Sequence, residues 1–330
     1  MSNATFLNRA RTLANKVISH LGFEVVRRPR PRGRDTDLIP LQIGNFRLFL
    51  QVNNPVWREH EKNPEYTAQL GRLAACVFAA YPDGYLIDVG ANIGDTAAIV
   101  RSKVDAPIVC VEGDEAIFPL LQKNISSMRE VVAYQYFLGE KTEDLRFMTQ
   151  KSGWDTTLIP IHGDTEVAGK VIPLLSLDDL VAGLASPKTC KLLKLDIEGF
   201  DLRALRGARN LLSKDKPTVF FEFNHDNLTS LGENGREIFP YLASLGYERL
   251  CIYDSQGNLM ISCRTSDTAT LDDLDDYARA LDGLFYYDIC AFQSFDGELA
   301  KRFLASERTY RKSIIQRKRG HGLVQSPCGA

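Results

Sequence analysis

Residues 86–96 read LIDVGANIGDT. An apolar strand over 85–89 runs into a turn holding Gly90 and Gly94, and an apolar stretch follows at 97–100. Strand, glycine turn and helix are the outline of a nucleotide-binding corner. Asn92 stands where a dinucleotide-binding loop has its second glycine, and Asp95 stands where it has its third. Which ligand such a loop holds depends on what surrounds it.

Outward from this corner, strand-like runs at 85–89, 108–112, 131–138, 192–196 and 218–223 alternate with helical stretches at 95–103, 115–127, 200–213 and 234–245. Four of the five strands are nearly continuous apolar runs, the pattern of parallel strands buried on both faces. The alternation predicts an α/β, Rossmann-like, doubly wound and mostly parallel sheet. Hairpin-like pieces at 145–149 and 167–175 and a short helix at 177–184 read as an insertion. After the last helix come a hairpin (247–253 and 259–263, turning over 255–257), an exposed acidic helix at 267–283 and a strand at 285–293. Upstream, 38–52 reads as a hairpin turning at Gly44-Asn45. Asn63-Pro64 reads as the start of a helix reaching about Ala80. Residues 6–21 carry apolar positions at helical spacing, and RRPRPRGR at 27–34 is a stiff basic linker. The expected units are a basic helix and linker (1–34), an accessory hairpin and helix (35–80), the ligand-binding domain (81–298) and a basic C-terminal helix and tail (299–330).

The chain has 330 residues, 44% apolar and 25% charged, an ordinary globular composition. No apolar run approaches the ~20 residues of a membrane span. Residues 6–21 are interrupted by Arg9, Arg11 and Lys16, so they lack the solid apolar core of a secretory signal. Seven scattered cysteines with no CxxC read as reduced thiols and give no zinc site. A cytoplasmic location is expected on these grounds. The net charge of −2 hides an asymmetry. Residues 1–34 and 299–330 each hold eight Lys/Arg against one acid, while the remaining 24 basic and 40 acidic residues give 35–298 a formal charge of −16. The plain reading of the basic arms is that they are solvated or fold back on the acidic body. The sharper reading is peripheral contact with an anionic membrane surface. Nucleic acid is not expected, because no aromatic platform accompanies the arms.

Glu112 ends the second strand, 18 residues beyond Gly94. An acid there accepts hydrogen bonds from both ribose hydroxyls of an adenosine group, in NAD and S-adenosylmethionine sites alike. Two features separate these ligands. Asn92 obstructs the close backbone approach a pyrophosphate needs, and Asp88 and Asp95 beside the loop repel phosphates. The ammonium and sulfonium of S-adenosylmethionine suit carboxylates better. The candidate cofactor-binding residues are therefore Asp88, Gly90, Asn92, Gly94, Asp95, Glu112 and Gly113, with Gly139 at the end of the third strand.

LLKLDIEGFDLRALRGA at 192–208, TVFFEF at 218–223, VEGDE at 111–115 and SLDDL at 176–180, together with DVGAN, resemble the FkbM-type methyltransferase family. The resemblance spans roughly residues 84–225. Gly113 replaces the usual proline after the second-strand acid, and Asp201 replaces the usual glutamate after EG. The resemblance implies a class I methyltransferase sheet. It also implies transfer of a methyl group from S-adenosylmethionine to an oxygen, usually a hydroxyl of a sugar or natural product. The acceptor would be a small molecule or glycan. An NAD-linked oxidoreductase, or a non-catalytic binding protein on the same fold, are the alternatives.

A hydroxyl is a poor nucleophile, and a base placed at its proton contributes ~10²–10⁴-fold. Asp196 ends one central strand and is the first candidate. Glu222 ends the next strand, with His225 three residues on, and Glu198 follows Asp196. Other roles stand beside these. Glu198 and Asp201 can cap the helix near Phe200, Glu222 can position the acceptor, and Asp196 with Glu222 has the chemistry for a divalent cation. No metal is assigned. Arg203, Arg206 and Arg209 read as a solvated helix face. Trp154 and the residues after it can line the ligand pocket.

Overall fold

The computed structural model describes residues 34, 37–52, 54–152, 155–160, 169–184, 188–281 and 285–322. The helix expected at 6–21, most of the basic linker, Trp154 and the tail after 322 lie outside the described residues.

An eight-stranded sheet is ordered β13-β12-β14-β11-β10-β3-β4-β5. In chain order these strands are β3 (Tyr85–Val89), β4 (Ile108–Val111), β5 (Val131–Tyr134), β10 (Cys190–Leu195), β11 (Thr218–Phe223), β12 (Tyr247–Asp254), β13 (Leu259–Arg264) and β14 (Tyr287–Gln293). The run from β11 through β10, β3 and β4 to β5 is parallel. β14 lies antiparallel between β11 and β12, and β12–β13 is an antiparallel hairpin. Chain order reverses between β10 and β3, so the crevice for a ligand opens at their carboxyl ends. β3 and β4 are buried at every position, as apolar runs covered on both faces must be.

Two layers of helix supply that cover. On one face, α2 (Ala68–Ala80), α3 (Asp95–Arg101) and α4 (Phe118–Ile125) pack with the hairpin β1 (Leu38–Ile43) and β2 (Phe46–Gln51) and with Phe303 of α11 (Gly297–Gly322). On the other face lie α5 (Leu177–Gly183), α6 (Asp201–Arg206), α7 (Arg209–Lys214), α8 (His225–Ser230), α9 (Ile238–Ser244) and α10 (Thr268–Arg279). The insertion is a second sheet, β6-β9-β7-β8, built from β6 (Phe137–Gly139), β7 (Glu143–Ser152), β8 (Asp155–Pro160) and β9 (Lys170–Ser176). It rests on Phe200 and Leu231 through Phe147, Ile172 and Leu174.

Several expectations are corrected. The helix placed at 63–80 begins at Ala68. Asn63 ends a separate helix, α1 (Pro55–Lys62), and its side chain accepts from the Glu65 N–H, making a turn of 63–67. The Asn-Pro start signal belongs to the earlier pair, where Asn54 accepts from the Val56 N–H and Pro55 opens α1. The strand at 131–138 divides, and its second part, β6, leaves for the small sheet. The helix at 200–213 breaks at Gly207, where a Cβ would stand 2.3 Å from the Gly139 carbonyl oxygen. Within 234–245 only residues 238–244 form α-helix, after a 3₁₀ turn at 235–237. The helix at 267–283 is shorter, and it buries Leu271, Asp275 and Ala278. Arg203 and Arg206 are not a solvated face, since both bond Glu233, at 2.7 and 2.9 Å. The start of the basic C-terminal segment folds back, with Leu299, Ala300 and Phe303 buried. Among the described residues no helix is long and apolar enough to cross a membrane.

Candidate active site

The glycine loop follows from backbone crowding. Gly90 has φ +72°, and a Cβ there would stand 2.0 Å from the Asp196 carbonyl oxygen. Only glycine lets the ends of β3 and β10 approach so closely. Gly94, at φ +87°, starts α3, while Asn92 holds a left-handed φ of +45°. Glu112 grips the loop from β4. Its Oε2 accepts from the Asn92 N–H at 2.9 Å and its Oε1 from the Asp114 N–H at 2.8 Å. Burial holds this carboxyl above its ordinary pKa. Each oxygen keeps a second lone pair. The buried Asn92 Oδ1 has no hydrogen-bond partner.

Beneath the loop lies an ion pair that sequence reasoning missed. Asp88 and Lys194 are register partners across β3 and β10. Lys194 is 2% exposed and Asp88 is fully buried. The ammonium donates to the carbonyls of Gly90 at 2.8 Å and Val89 at 3.2 Å. It stands 3.3 Å from Asp88 Oδ1 and 3.6 Å from Asp196 Oδ2. Burial pulls this ammonium down, but Asp88, Asp196 and Asp95 together hold its pKa above the ordinary value. Burial pushes the Asp88 carboxyl up to about 6. Asp88 therefore serves as the counter-ion of Lys194 behind the loop and does not line the cleft. The legible signal was a lysine and an aspartate inside apolar strands.

The cleft above encloses about 680 Å³, within the range of small-molecule sites. Gly90, Asn92, Asp95, Glu112, Gly113, Asp196, Glu198 and Glu222 all line it. Asp95, pushed by burial to about 6, has His60 Nε2 4.0 Å away, and burial holds that imidazole down to about 4. Gly113 leaves room for the Phe137 ring, which a Cβ would approach to 2.3 Å. Asp196 stands at the mouth with 47% of its side chain exposed.

Other candidates sit differently. Glu198 Oε2 accepts from Asn227 Nδ2, at the start of α8, at 2.8 Å. Asp201 is the first residue of α6 and accepts from the Gly199 N–H. Burial pushes it to about 7. His225 does not line the cleft, since its Nδ1 is 3.0 Å from Asp275 Oδ1 and its Nε2 3.2 Å from Thr229 Oγ1. Gly94 sets the turn without lining the cleft. Gly139 packs under Leu174 in β6, outside it. Among the lining residues that the sequence did not single out are Asp288 on β14 and Tyr66 before α2. Among the described residues no group of three or more His, Cys, Asp or Glu is arranged to hold a metal ion. Among the described lining residues, eight are Asp or Glu and only Lys194 is Lys or Arg.

Residues 88–249 match the model of the methyltransferase FkbM domain. The chain is 27% identical over 167 residues to the hexuronic acid methyltransferase AglP of Haloferax volcanii, an alignment covering 50% of this chain. It spans 65% of that relative's length. It is also similar to the crystal structure of a methyltransferase FkbM from Methylobacillus flagellatus KT, at 21% identity and a TM-score of 0.33, covering 51% of this chain and 39% of that one. A precorrin-6y C5,15-methyltransferase from Geobacter metallireducens GS-15 matches at 10% identity and a TM-score of 0.34, over 64% of this chain and 80% of that one.

Proposed function

From the premise that the chain carries an FkbM-type methyltransferase domain at residues 88–249, we propose that it transfers a methyl group from S-adenosylmethionine to a hydroxyl of a saccharide. The observation that carries this reading is the cleft itself, a glycine loop gripped by Glu112 and walled by eight acids against one cation. These residues fit a cationic adenosyl ligand. Gly90 makes a cradle that a Cβ would fill, the orphaned Asn92 Oδ1 is free to accept from a ligand's N–H, and the carboxylates match positive charge. A dinucleotide fits worse, because the same acids oppose a pyrophosphate.

S-adenosylmethionine supplies a methyl carbon on a sulfonium, open to in-line displacement by an oxygen. Glu112 would accept hydrogen bonds from the ribose hydroxyls through the second lone pair of each oxygen. Asp95, at the start of α3 and lining the cleft, would face the positive charge of the bound cofactor. Asp196 follows the end of β10, beside the switch point, where it would take the acceptor's hydroxyl proton as the methyl carbon passes from sulfur to oxygen, the C–S bond breaking as the C–O bond forms. Lys194 keeps the loop and Asp196 in register. The saccharide rests on the family and on the name of the Haloferax relative.

Calorimetry with S-adenosylhomocysteine and NAD, side by side, tests the cofactor. S-adenosylhomocysteine should bind. Glu112→Ala should weaken that binding at least tenfold, since charged hydrogen bonds contribute ~1.5–3 kcal/mol each. Binding of NAD alone, or equal binding by the variant, would overturn the reading.

A further inference from the structure

Glu222 on β11 and Asp288 on β14 are register partners in an antiparallel pair. Their side chains leave the same face of the sheet, with Cβ atoms ~4.5–5.5 Å apart. Both line the cleft. Two residues deeper, their neighbours Phe220 and Cys290 are register partners in the core, so the two carboxyls stand on an apolar floor.

Their surroundings are acidic on nearly every side. Asp196, Glu198 and Asp201 press on Glu222 from the chain after β10. Asp196, and Asp254 from the end of β12, press on Asp288. The nearest cation, Lys194, is committed to Gly90, Val89 and Asp88. From α2, Gln69 Nε2 donates to Asp288 Oδ2 at 2.9 Å. Tyr66 and Tyr286 line the same cleft. Burial first, and these acids second, push Asp288 up to about 8 and Glu222 well above its ordinary value. Two carboxyls on facing positions of paired strands above an apolar floor oppose each other's ionisation.

We propose that Glu222 and Asp288 hold one proton between them and form the acceptor's polar subsite, offering one donor and one acceptor to the hydroxyls of an uncharged polyol. The word acceptor rests on the methyl-transfer reading; the shared proton does not. The pair also sets specificity. A hexuronate, the class named for the Haloferax relative, would bring a third carboxylate among acids that no free cation offsets among the described lining residues. The acceptor of this chain is therefore a neutral sugar.

Two measurements test this. The first is unfolding stability from pH 5 to 8 for the wild type, Asp288→Asn and Glu222→Gln. A carboxyl with a raised pKa in the folded state costs stability as pH climbs from its unfolded pKa to its folded one. Each variant should therefore gain on the wild type by about tenfold in folding constant per pH unit. A pH-independent difference in both variants would overturn the shared proton, whether or not the protein transfers methyl groups. The second is transfer of labelled methyl to methyl glycosides of neutral hexoses and to the matching hexuronic acids. Neutral acceptors should lead by ~10²-fold or more in kcat/KM, given the cost of like charges at contact. Equal use of hexuronates would overturn the neutral acceptor. Transfer to neither class would overturn a saccharide acceptor altogether, leaving the shared proton to the stability series.

Discussion

Lys194 donates to two carbonyls of the glycine loop and stands beside Asp88 and Asp196, so its loss acts twice. Lys194→Met leaves Asp88 buried without a counter-ion. We expect a loss of about 3–5 kcal/mol, growing above pH 6 as Asp88 must ionise, together with weaker S-adenosylhomocysteine binding. Denaturant unfolding at two pH values measures it, and an unchanged midpoint would sink the role given to this lysine. Asp196 has a different expected profile. Asp196→Asn keeps the shape and removes the proton-accepting charge, so kcat should fall by ~10²-fold or more while S-adenosylhomocysteine affinity holds. Near-normal turnover would remove Asp196 from the mechanism. His225 is no substitute, because its ring is spent on Asp275 and Thr229.

At the scale of elements, α11 is held to α2 by one buried bidentate pair. Arg72 Nε and Nη2 donate to Glu307 Oε1 and Oε2 at 2.6 and 2.9 Å, and the Arg72 guanidinium stacks 3.8 Å above the Tyr310 ring. Glu307→Ala strands a mostly buried guanidinium and should cost about 3–5 kcal/mol. Hydrogen exchange should speed up along 297–310; exchange unaltered there would mean that apolar contacts alone dock the helix. Elements with a local signature were legible in the sequence: the hairpin at Gly44-Asn45, the apolar parallel strands and the glycine turn. Gly90, Glu112, Asp196 and Glu222 were legible as a group because the carboxyl ends of parallel strands converge by topology. What escaped was decided by distant partners. Gly207 breaks a helix because Gly139 passes close to it, and Asp288 joins the cleft only because β14 inserts beside β11. Lys194 looked like a strand residue until Asp88 was found across from it. Asn63-Pro64 carried the same start signal as Asn54-Pro55, and nothing local told the two apart.

For the molecule as a whole, acids held above their ordinary values set the response to pH. Asp88 and Asp95 sit at about 6, Asp201 at about 7 and Asp288 at about 8. In each, the folded state binds a proton that the unfolded state has released, so stability falls as pH rises from about 4 to about 8. His60, held down to about 4, works the other way, but only below its unfolded value of ~6.5. Between pH 6.5 and 8 the fall is unopposed by this histidine, and the melting temperature should drop across that interval. A rise would contradict the burial of these acids. The order of the sheet has a further consequence. β14 is the last of its strands in the chain, yet it lies between β11 and β12. A ribosome delivers the β12–β13 hairpin before the strand that joins it to the parallel core. Until residues 287–293 emerge, β11 and β12 are open strand edges in addition to those of the finished sheet, each a template for pairing with another chain. A message truncated after residue 281 should therefore yield aggregate or chaperone-bound product, visible by sedimentation of the translation mixture. The β12–β13 hairpin thus depends on a strand made after it, and its shelter until residues 287–293 emerge falls to something other than its own sheet.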